Sequence, residues 1–262
     1  MIKIPQNFDE LDFYTKDPFF LFEKNNFLEP ELFKQLDENF PEDVDFEKSY
    51  YGKGGKKHLE NKGNGFLEFI ESNSCWRSFY EEISSPNVLA QMFNLWNLAE
   101  IPNERQGYYK NPWVYSSCRS KMLRKSHKAI LRLIRRNSVR LGFEFSRIPQ
   151  DGYIPPHTDI GKKLLSLLIY FPDKGVDYKG TGGTSFFKAK NDSSIMHSWH
   201  SNLLNKEQSK EFYSSHDEFY RSKFTPNKLI GFVKTLLSWH TVEPFQVKNS
   251  TRRSLCINVF TK

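Results

Sequence analysis

The sequence predicts a mainly β protein, with a barrel of short strands in its C-terminal half and helices packed outside it. The hydrophobic period changes near residue 141, from helical spacing to the alternation of strands. The apolar run Leu164 to Phe171 has the length of one buried strand, and short strand-like runs with polar turns follow it. We therefore expect one domain over 1–262, in which residues 1–140 pack on a barrel core formed by 141–262.

Composition is consistent with a sizeable core in a reducing compartment. Only 38% of the residues are hydrophobic, but 24 Phe and 12 Tyr supply bulky core material. The three cysteines, Cys75, Cys118 and Cys256, form neither a metal-binding pair nor a disulfide framework. The start of the chain does not resemble a secretory signal, and no apolar run is long enough to span a bilayer. These features predict a cytoplasmic protein without a membrane span.

Charge is distributed unevenly along the chain. Residues 1–50 carry 5 Lys and Arg against 13 Asp and Glu, whereas the remainder carries 33 against 18. A basic excess of this size attracts anions over long range. We therefore expect an anionic ligand, such as a dicarboxylate or a phosphorylated or nucleotide-linked substrate.

The N-terminal half reads as scaffold. Residues 18–40 predict a strand followed by a helix that begins near Pro30, with apolar residues at helical spacing behind it. Residues 66–99 carry further helical patterns. Residues 41–65 are polar and rich in Gly and Lys, which predicts either a loop that closes over a substrate or a plain solvated loop.

Residues 119–136 contain eight Lys and Arg, no acid, and apolar residues between them. This pattern is typical of a basic amphipathic helix. Such a helix either lies on the sheet with a solvated basic face or binds nucleic acid or an acidic membrane. A surface helix is the favoured interpretation, so a nucleic-acid partner is not expected.

The C-terminal half predicts a series of strands. They are expected at 141–148, 164–171, from Thr184, 229–235, 240–247 and 254–260, with a polar insertion at 188–227. Three residues at the ends of these strands have the chemistry of metal ligands. His157 and Asp159 stand two apart before the apolar strand, and His240 begins a later one. Two His and one carboxylate form the facial triad of non-haem Fe(II) oxygenases.

The ordered set His157-x-Asp159, His240 and Arg252-x-Ser254 resembles the 2-oxoglutarate- and Fe(II)-dependent oxygenases, the superfamily that includes prolyl hydroxylases. The resemblance covers about residues 140 to 262. It implies a double-stranded β-helix, a jelly-roll or cupin-like barrel. It also implies Fe(II) as metal, 2-oxoglutarate as cosubstrate, O2, and ascorbate as an optional reductant. Because related halogenases replace the carboxylate with a small residue, Asp159 favours hydroxylation.

Strand alternation distinguishes the two adjacent arginines of the last strand. Residues two apart share a face, so Arg252 and Ser254 point together into the barrel, opposite the apolar Leu255. The resemblance then implies that Arg252 binds the distal carboxylate of 2-oxoglutarate and that Ser254 adds a hydrogen bond. Arg253 is expected to be structural.

Further candidates remain open. Tyr170 is a candidate cosubstrate ligand, although a tyrosine in an apolar strand is more often core, and Tyr153 matches the family pattern less well. Lys162 and Lys163 are expected to be exposed turn lysines. The histidines His197, His200 and His216 are expected to be loop residues.

The sequence favours a hydroxylase of a small-molecule or carrier- or sugar-linked substrate. The alternatives are a peptidyl hydroxylase, a nucleic-acid demethylase, and a cupin-like module that binds metal or ligand without turnover. Substrate identity and oligomeric state are not readable from these residues.

Overall fold

The structure of the chain is a computed structural model that describes residues 2–5, 7–48, 55–61, 64–98, 113–115, 138–178, 180–191 and 203–261. Strands predominate and form two sheets, and apolar side chains from both sheets pack in one cluster. No helix within these ranges is long and apolar enough to cross a bilayer. The basic segment 119–136, with His197 and His200, lies outside the described residues.

The larger sheet contains nine strands. They are β1 (Phe13–Thr15), β2 (Leu21–Lys24), β3 (Glu47–Lys48), β4 (Lys57–Glu60), β5 (Trp113–Tyr115), β6 (Ser138–Ile148), β8 (Lys163–Tyr170), β11 (Leu229–Val233) and β13 (Arg252–Thr261). Their order is β1-β2-β11-β8-β13-β6-β4-β3, with β5 pairing parallel to β6.

The smaller sheet contains four strands in the order β10-β9-β12-β7. They are β7 (Ile154–His157), β9 (Ser185–Ala189), β10 (His216–Arg221) and β12 (His240–Val242). From β6 onward the chain alternates between the two sheets, except that β9 and β10 are neighbours in the smaller sheet, and every pairing among these eight strands is antiparallel. The result is two facing four-stranded sheets, β6-β13-β8-β11 and β10-β9-β12-β7. The predicted jelly-roll fold, a double-stranded β-helix, is confirmed.

Four helices lie against the outer face of the larger sheet, and a fifth lies beside the smaller sheet. They are α1 (Pro30–Glu38), α2 (Asn64–Ser72), α3 (Ser74–Ile83), α4 (Pro86–Leu98) and α5 (Lys206–Ser215), with 3-10 turns at Phe8–Glu10 and Asp43–Asp45. As the sequence predicts, α1 starts at a proline. The outer core is aromatic: the ring centroid of Trp76 in α3 lies 4.7 Å from that of Phe145 in β6. The helices thus cover the outer face of the larger sheet with apolar side chains, and the polar residues of the sheet lie on its inner face.

β13 shows how alternation divides the two faces. Leu255, Ile257 and Val259 are fully buried in the outer core, whereas Arg252 and Ser254 face the barrel interior. Arg253 points outward with the apolar set. Its Nη2 donates to Asp37 at 2.9 Å and lies 3.1 Å from an oxygen of Asp173. Arg253 therefore ties the sheet to α1 and to the turn after β8.

Two expectations about loops need correction. Residues 188–227 are not one polar insertion, because they include α5 and the barrel strand β10, which pairs with β9. His216 begins that strand and is buried, with its ring stacked on Phe212. Residues 41–65 likewise contribute β3 and β4, and β4 pairs with β6. These strands are short and mostly polar, HDEFYR in β10 and KHLE in β4, so they lack the alternation of apolar and polar residues that marks a strand.

Gly183 gives a stability prediction for the approach to β9. A Cβ at this position would lie 1.8 Å from the backbone oxygen of Ser222. We expect Gly183→Ala to destabilise the fold by about 1–3 kcal/mol, because the backbone itself must move. Gly65→Ala is the control: its Cβ would meet no atom closer than 3.5 Å. Urea unfolding of both variants checks this, and equal midpoints would contradict it.

Candidate metal and cosubstrate site

His157, Asp159 and His240 come together at the mouth of the barrel. Each offers one ligand atom, and these atoms all lie within 4.8 Å of one another. His157 ends β7 and pairs in register with His240, which starts β12. Asp159 follows in the turn that leads to β8. The three side chains, two at strand ends and one in a turn, therefore point toward one position.

Backbone hydrogen bonds orient both imidazoles. Nδ1 of His157 lies 2.9 Å from the carbonyl oxygen of Pro155, and Nδ1 of His240 lies 3.0 Å from that of Ser238. A carbonyl oxygen can only accept, so Nδ1 donates in both rings. This tautomer leaves each Nε2 lone pair available for a metal, which is how ligating histidines are usually held.

The protonation states suit metal binding. Burial lowers the pKa of His157 to about 3, and burial likewise lowers the pKa of His240. Burial would raise the pKa of Asp159, but the charge of Lys163, with smaller contributions from the two histidines, holds it below its ordinary value. The set is therefore two neutral imidazoles and one carboxylate at neutral pH. These nitrogen and oxygen donors, without a thiolate, fit ferrous iron.

Lys163 is not the exposed turn lysine that the sequence predicts. It begins β8, is largely buried, and its Nζ donates to Oδ1 of Asp159 at 2.8 Å. The other oxygen, Oδ2, accepts from Ser166 at 2.7 Å. Lys163 and Ser166 thus fix the carboxylate from two sides. Lys162 alone of the two lysines is exposed.

Arg252 is a buried cation at the opposite end of the interior. It is only 1% exposed, and no carboxylate among the described residues lies within ion-pair distance of it. Its Nε donates to the carbonyl oxygen of Gly182 at 2.6 Å, and its Nη1 and Nη2 donate to the hydroxyls of Ser254 and Thr184 at 3.1 and 3.3 Å. Neutral partners position the guanidinium without cancelling its charge.

A cavity of about 80 Å³ connects the metal-ligand candidates with Arg252. Its walls include the three metal-ligand candidates together with Arg252, Ser254 and Thr184. The lining also includes Ser146, whose buried hydroxyl has no hydrogen-bond partner in the described part of the chain. A buried hydroxyl in that state favours a ligand that supplies the missing bond.

Tyr170 does not line this cavity. Its ring lies beneath Arg252, with the guanidinium carbon 5.0 Å from the ring centroid, and its hydroxyl bonds that of Thr184 at 2.7 Å. Burial raises the pKa of Tyr170, so it stays protonated. Tyr170 therefore supports Arg252 from behind. Tyr153, the other tyrosine considered, lines a second, outer cavity.

The outer cavity, of about 220 Å³, opens from the metal-ligand candidates toward solvent. Lys56 and Glu144, which form an ion pair, line both cavities, and Arg140 and Phe260 line the outer one. Sequence reasoning missed these residues. Arg140 and Glu144 do alternate with the apolar Leu141 and Phe143 of β6, so the alternation used for β13 would have placed both inside the barrel.

Cys256 faces the inner cavity and is predicted to react slowly. Burial raises the pKa of its thiol to about 11 from 9.0. At pH 8 its thiolate population is then about 100-fold below that of an ordinary cysteine. We expect iodoacetamide to label Cys256 at least tenfold more slowly in the folded than in the urea-unfolded protein, with mass spectrometry of peptides as the readout. Equal rates would contradict the raised pKa.

No protein-family model matches the chain, and no curated protein matches it either. Solved structures do resemble it weakly. A prolyl-4-hydroxylase of Pseudomonas putida is 12% identical with a TM-score of 0.44, and the match covers 92% of each chain.

A prolyl hydroxylase of Trichoplax adhaerens, solved with a hypoxia inducible factor oxygen degradation domain peptide fragment, is also 12% identical. Its TM-score is 0.43, and the match covers 92% of this chain and 83% of that one. A 2OG-Fe(II) oxygenase family oxidoreductase of Burkholderia pseudomallei, again 12% identical, has a TM-score of 0.29 over 47% of this chain and 44% of that one.

Proposed function

We propose that the chain is an Fe(II)- and 2-oxoglutarate-dependent dioxygenase that hydroxylates a C–H bond of a small-molecule or carrier-linked substrate. One observation carries the proposal: a two-histidine, one-carboxylate cluster and a buried guanidinium without a carboxylate partner in the described residues open into one cavity. The cluster has the donor atoms that bind a metal cation. The guanidinium favours an anion, because a buried charge without a counter-charge destabilises the protein.

His157, Asp159 and His240 would hold the iron and leave its remaining positions open. When bound, iron and 2-oxoglutarate supply the oxidising chemistry, in which O2 is reduced, the cosubstrate loses CO2 to become succinate, and one oxygen atom enters the substrate. The protein's own task is to hold these groups in fixed positions. The backbone carbonyls behind the two imidazoles, and Lys163 and Ser166 beside Asp159, perform that task for the metal ligands.

Arg252 and Ser254 would bind the distal carboxylate of the cosubstrate, with the guanidinium donating two parallel hydrogen bonds. Thr184 and the carbonyl of Gly182 keep the guanidinium in place. The free hydroxyl of Ser146 is available as a further donor. Apolar side chains such as Phe232 and Leu168 complete the wall and exclude water.

Anaerobic titration with Fe(II), with and without 2-oxoglutarate, tests the proposal. We expect the weak visible charge-transfer band of the iron chelate, followed by conversion of 2-oxoglutarate to succinate when O2 is admitted. Iron binding without that band would remove the cosubstrate from the proposal. A band without any succinate would favour the alternative of a cupin-like binding module. Binding of neither would refute the proposal as a whole.

A further inference from the structure

Arg140 stands at the open end of the barrel interior. It belongs to the inward-facing set of β6, and it pairs in register with Phe260 of β13. The guanidinium carbon lies 4.4 Å from the centroid of the Phe260 ring. A Cβ at Gly142 would lie 2.6 Å from that ring, so the glycine makes room for it. Arg140 and Phe260 thus form one preorganised wall of the outer cavity.

Arg140 has no anionic partner in the described part of the chain. The neighbouring lysines of this cavity are paired, Lys56 with Glu144 and Lys163 with Asp159. The Arg140 guanidinium lies over the Phe260 ring and forms no ion pair with a carboxylate in the described ranges. Burial lowers the pKa of Arg140, and the charge of Glu60 partly offsets this. A half-buried guanidinium whose N–H groups bond no described residue can donate hydrogen bonds to a ligand.

Strand register sets its distance from the metal-ligand candidates. Asp159 bonds Ser166, which pairs with Asn258 of β13, and Asn258 pairs with Gly142 of β6. Arg140 is two residues further along the same strand. Two residues of antiparallel strand span about 7 Å, and the two strand spacings from β8 to β6 add about 10 Å sideways, so the Cα atoms of Arg140 and Ser166 lie about 12 Å apart. A ligand group on Arg140 therefore sits a short molecule's length from a metal at the cluster.

We propose that Arg140 binds an anionic group of the substrate, a carboxylate or a phosphate monoester, and so selects the C–H bond that faces the metal. This inference rests on the proposed function and narrows it to small acids or phosphorylated metabolites. A guanidinium suits either anion, because its planar fork donates two parallel hydrogen bonds. Phe260 holds that fork by stacking and limits its rotation.

The first test uses metal-free protein and inorganic phosphate, with acetate as the second probe. The Nε–H NMR signal of Arg140, assigned by its absence in Arg140→Met, is followed during titration. We expect a saturable shift, and a loss of affinity for the preferred anion of roughly 10- to 100-fold in Arg140→Met. Lys162→Met removes a nearby exposed charge and should leave the affinity nearly unchanged, whereas Glu60→Gln should tighten binding. Comparing the two probes distinguishes a carboxylate site from a phosphate site.

The second test places phosphate relative to the metal. With Mn(II) bound at His157, Asp159 and His240, phosphate on Arg140 should show paramagnetic 31P relaxation typical of a separation of about 10 Å. Anion affinity that is absent, or equal in Arg140→Met, overturns the inference even if Mn(II) binds. Phosphate binding at Arg140 in protein that fails to bind Mn(II) would instead refute the proposed function and leave the anion site standing.

Discussion

His240→Ala is expected to reduce Fe(II) affinity by more than about 100-fold and to abolish turnover. Loss of a group that hydrogen-bonds a metal ligand costs roughly 10–100-fold in metal affinity, and here a ligand itself is removed. The reason is geometric: His157 and His240 face each other across paired strands, with ring centroids 4.1 Å apart. Without one ring, only two protein donors remain. Anaerobic calorimetry with Fe(II), supported by Mn(II) electron paramagnetic resonance, measures the loss.

The matched control is His58→Gln. His58 in β4 also has a largely buried imidazole, but its ring pairs with Glu60 and lies outside the cluster. This variant should keep full iron affinity. Circular dichroism of both variants separates ligand loss from unfolding. Wild-type iron affinity in a folded His240→Ala protein would eliminate the proposed metal site.

Arg252→Met is expected to abolish 2-oxoglutarate binding while iron binding and folding persist. Removing one partner of a buried charge pair costs about 2–5 kcal/mol or more, which corresponds to at least roughly 30-fold in affinity. The metal-free protein should stay within about 2 kcal/mol of wild type. Lost hydrogen bonds to Gly182 and Thr184 are offset by removal of a buried cation that lacks a carboxylate partner in the described chain. The readouts are the loss of the chelate band and a free energy of unfolding, from urea denaturation, within about 2 kcal/mol of wild type.

The neighbouring Arg253→Met should behave in the opposite way. Arg253 bonds Asp37 and Asp173 on the outer face, so its removal leaves the largely buried carboxylate of Asp37 without its cation. We expect destabilisation by about 3–5 kcal/mol, with 2-oxoglutarate affinity retained in the protein that remains folded. If both variants lose stability and neither loses the cosubstrate, Arg252 is structural and the proposed cosubstrate site is wrong.

The sequence predicted those parts of the fold that depend on period and length. The strand at 164–171, the helix at Pro30 and the division of β13 into two faces all follow from local patterns that burial imposes. β10 was missed because its sequence, HDEFYR, is mostly polar and does not alternate. Lys163 was misplaced because the sequence cannot show that β8 begins at this residue, beside Asp159. Pairing between Lys56 and Glu144 joins residues 88 positions apart, and no local pattern encodes such a contact.

Two adjacent arginines in β13 make strand pairing decisive for this protein. If β13 paired one position out of line with β6 and β8, Arg253 would enter the cavity and Arg252 would be forced among the outer aromatic rings. The mispaired strand would still present a guanidinium inward, so chemistry alone does not prevent the slip. A slip that moves Ser254 into the position of Arg253 is disfavoured, because Asp37 and Asp173 then lose the cation that they contact. These two acids lie outside the cavity, but their contacts with Arg253 favour the strand alignment that places Arg252 inside it.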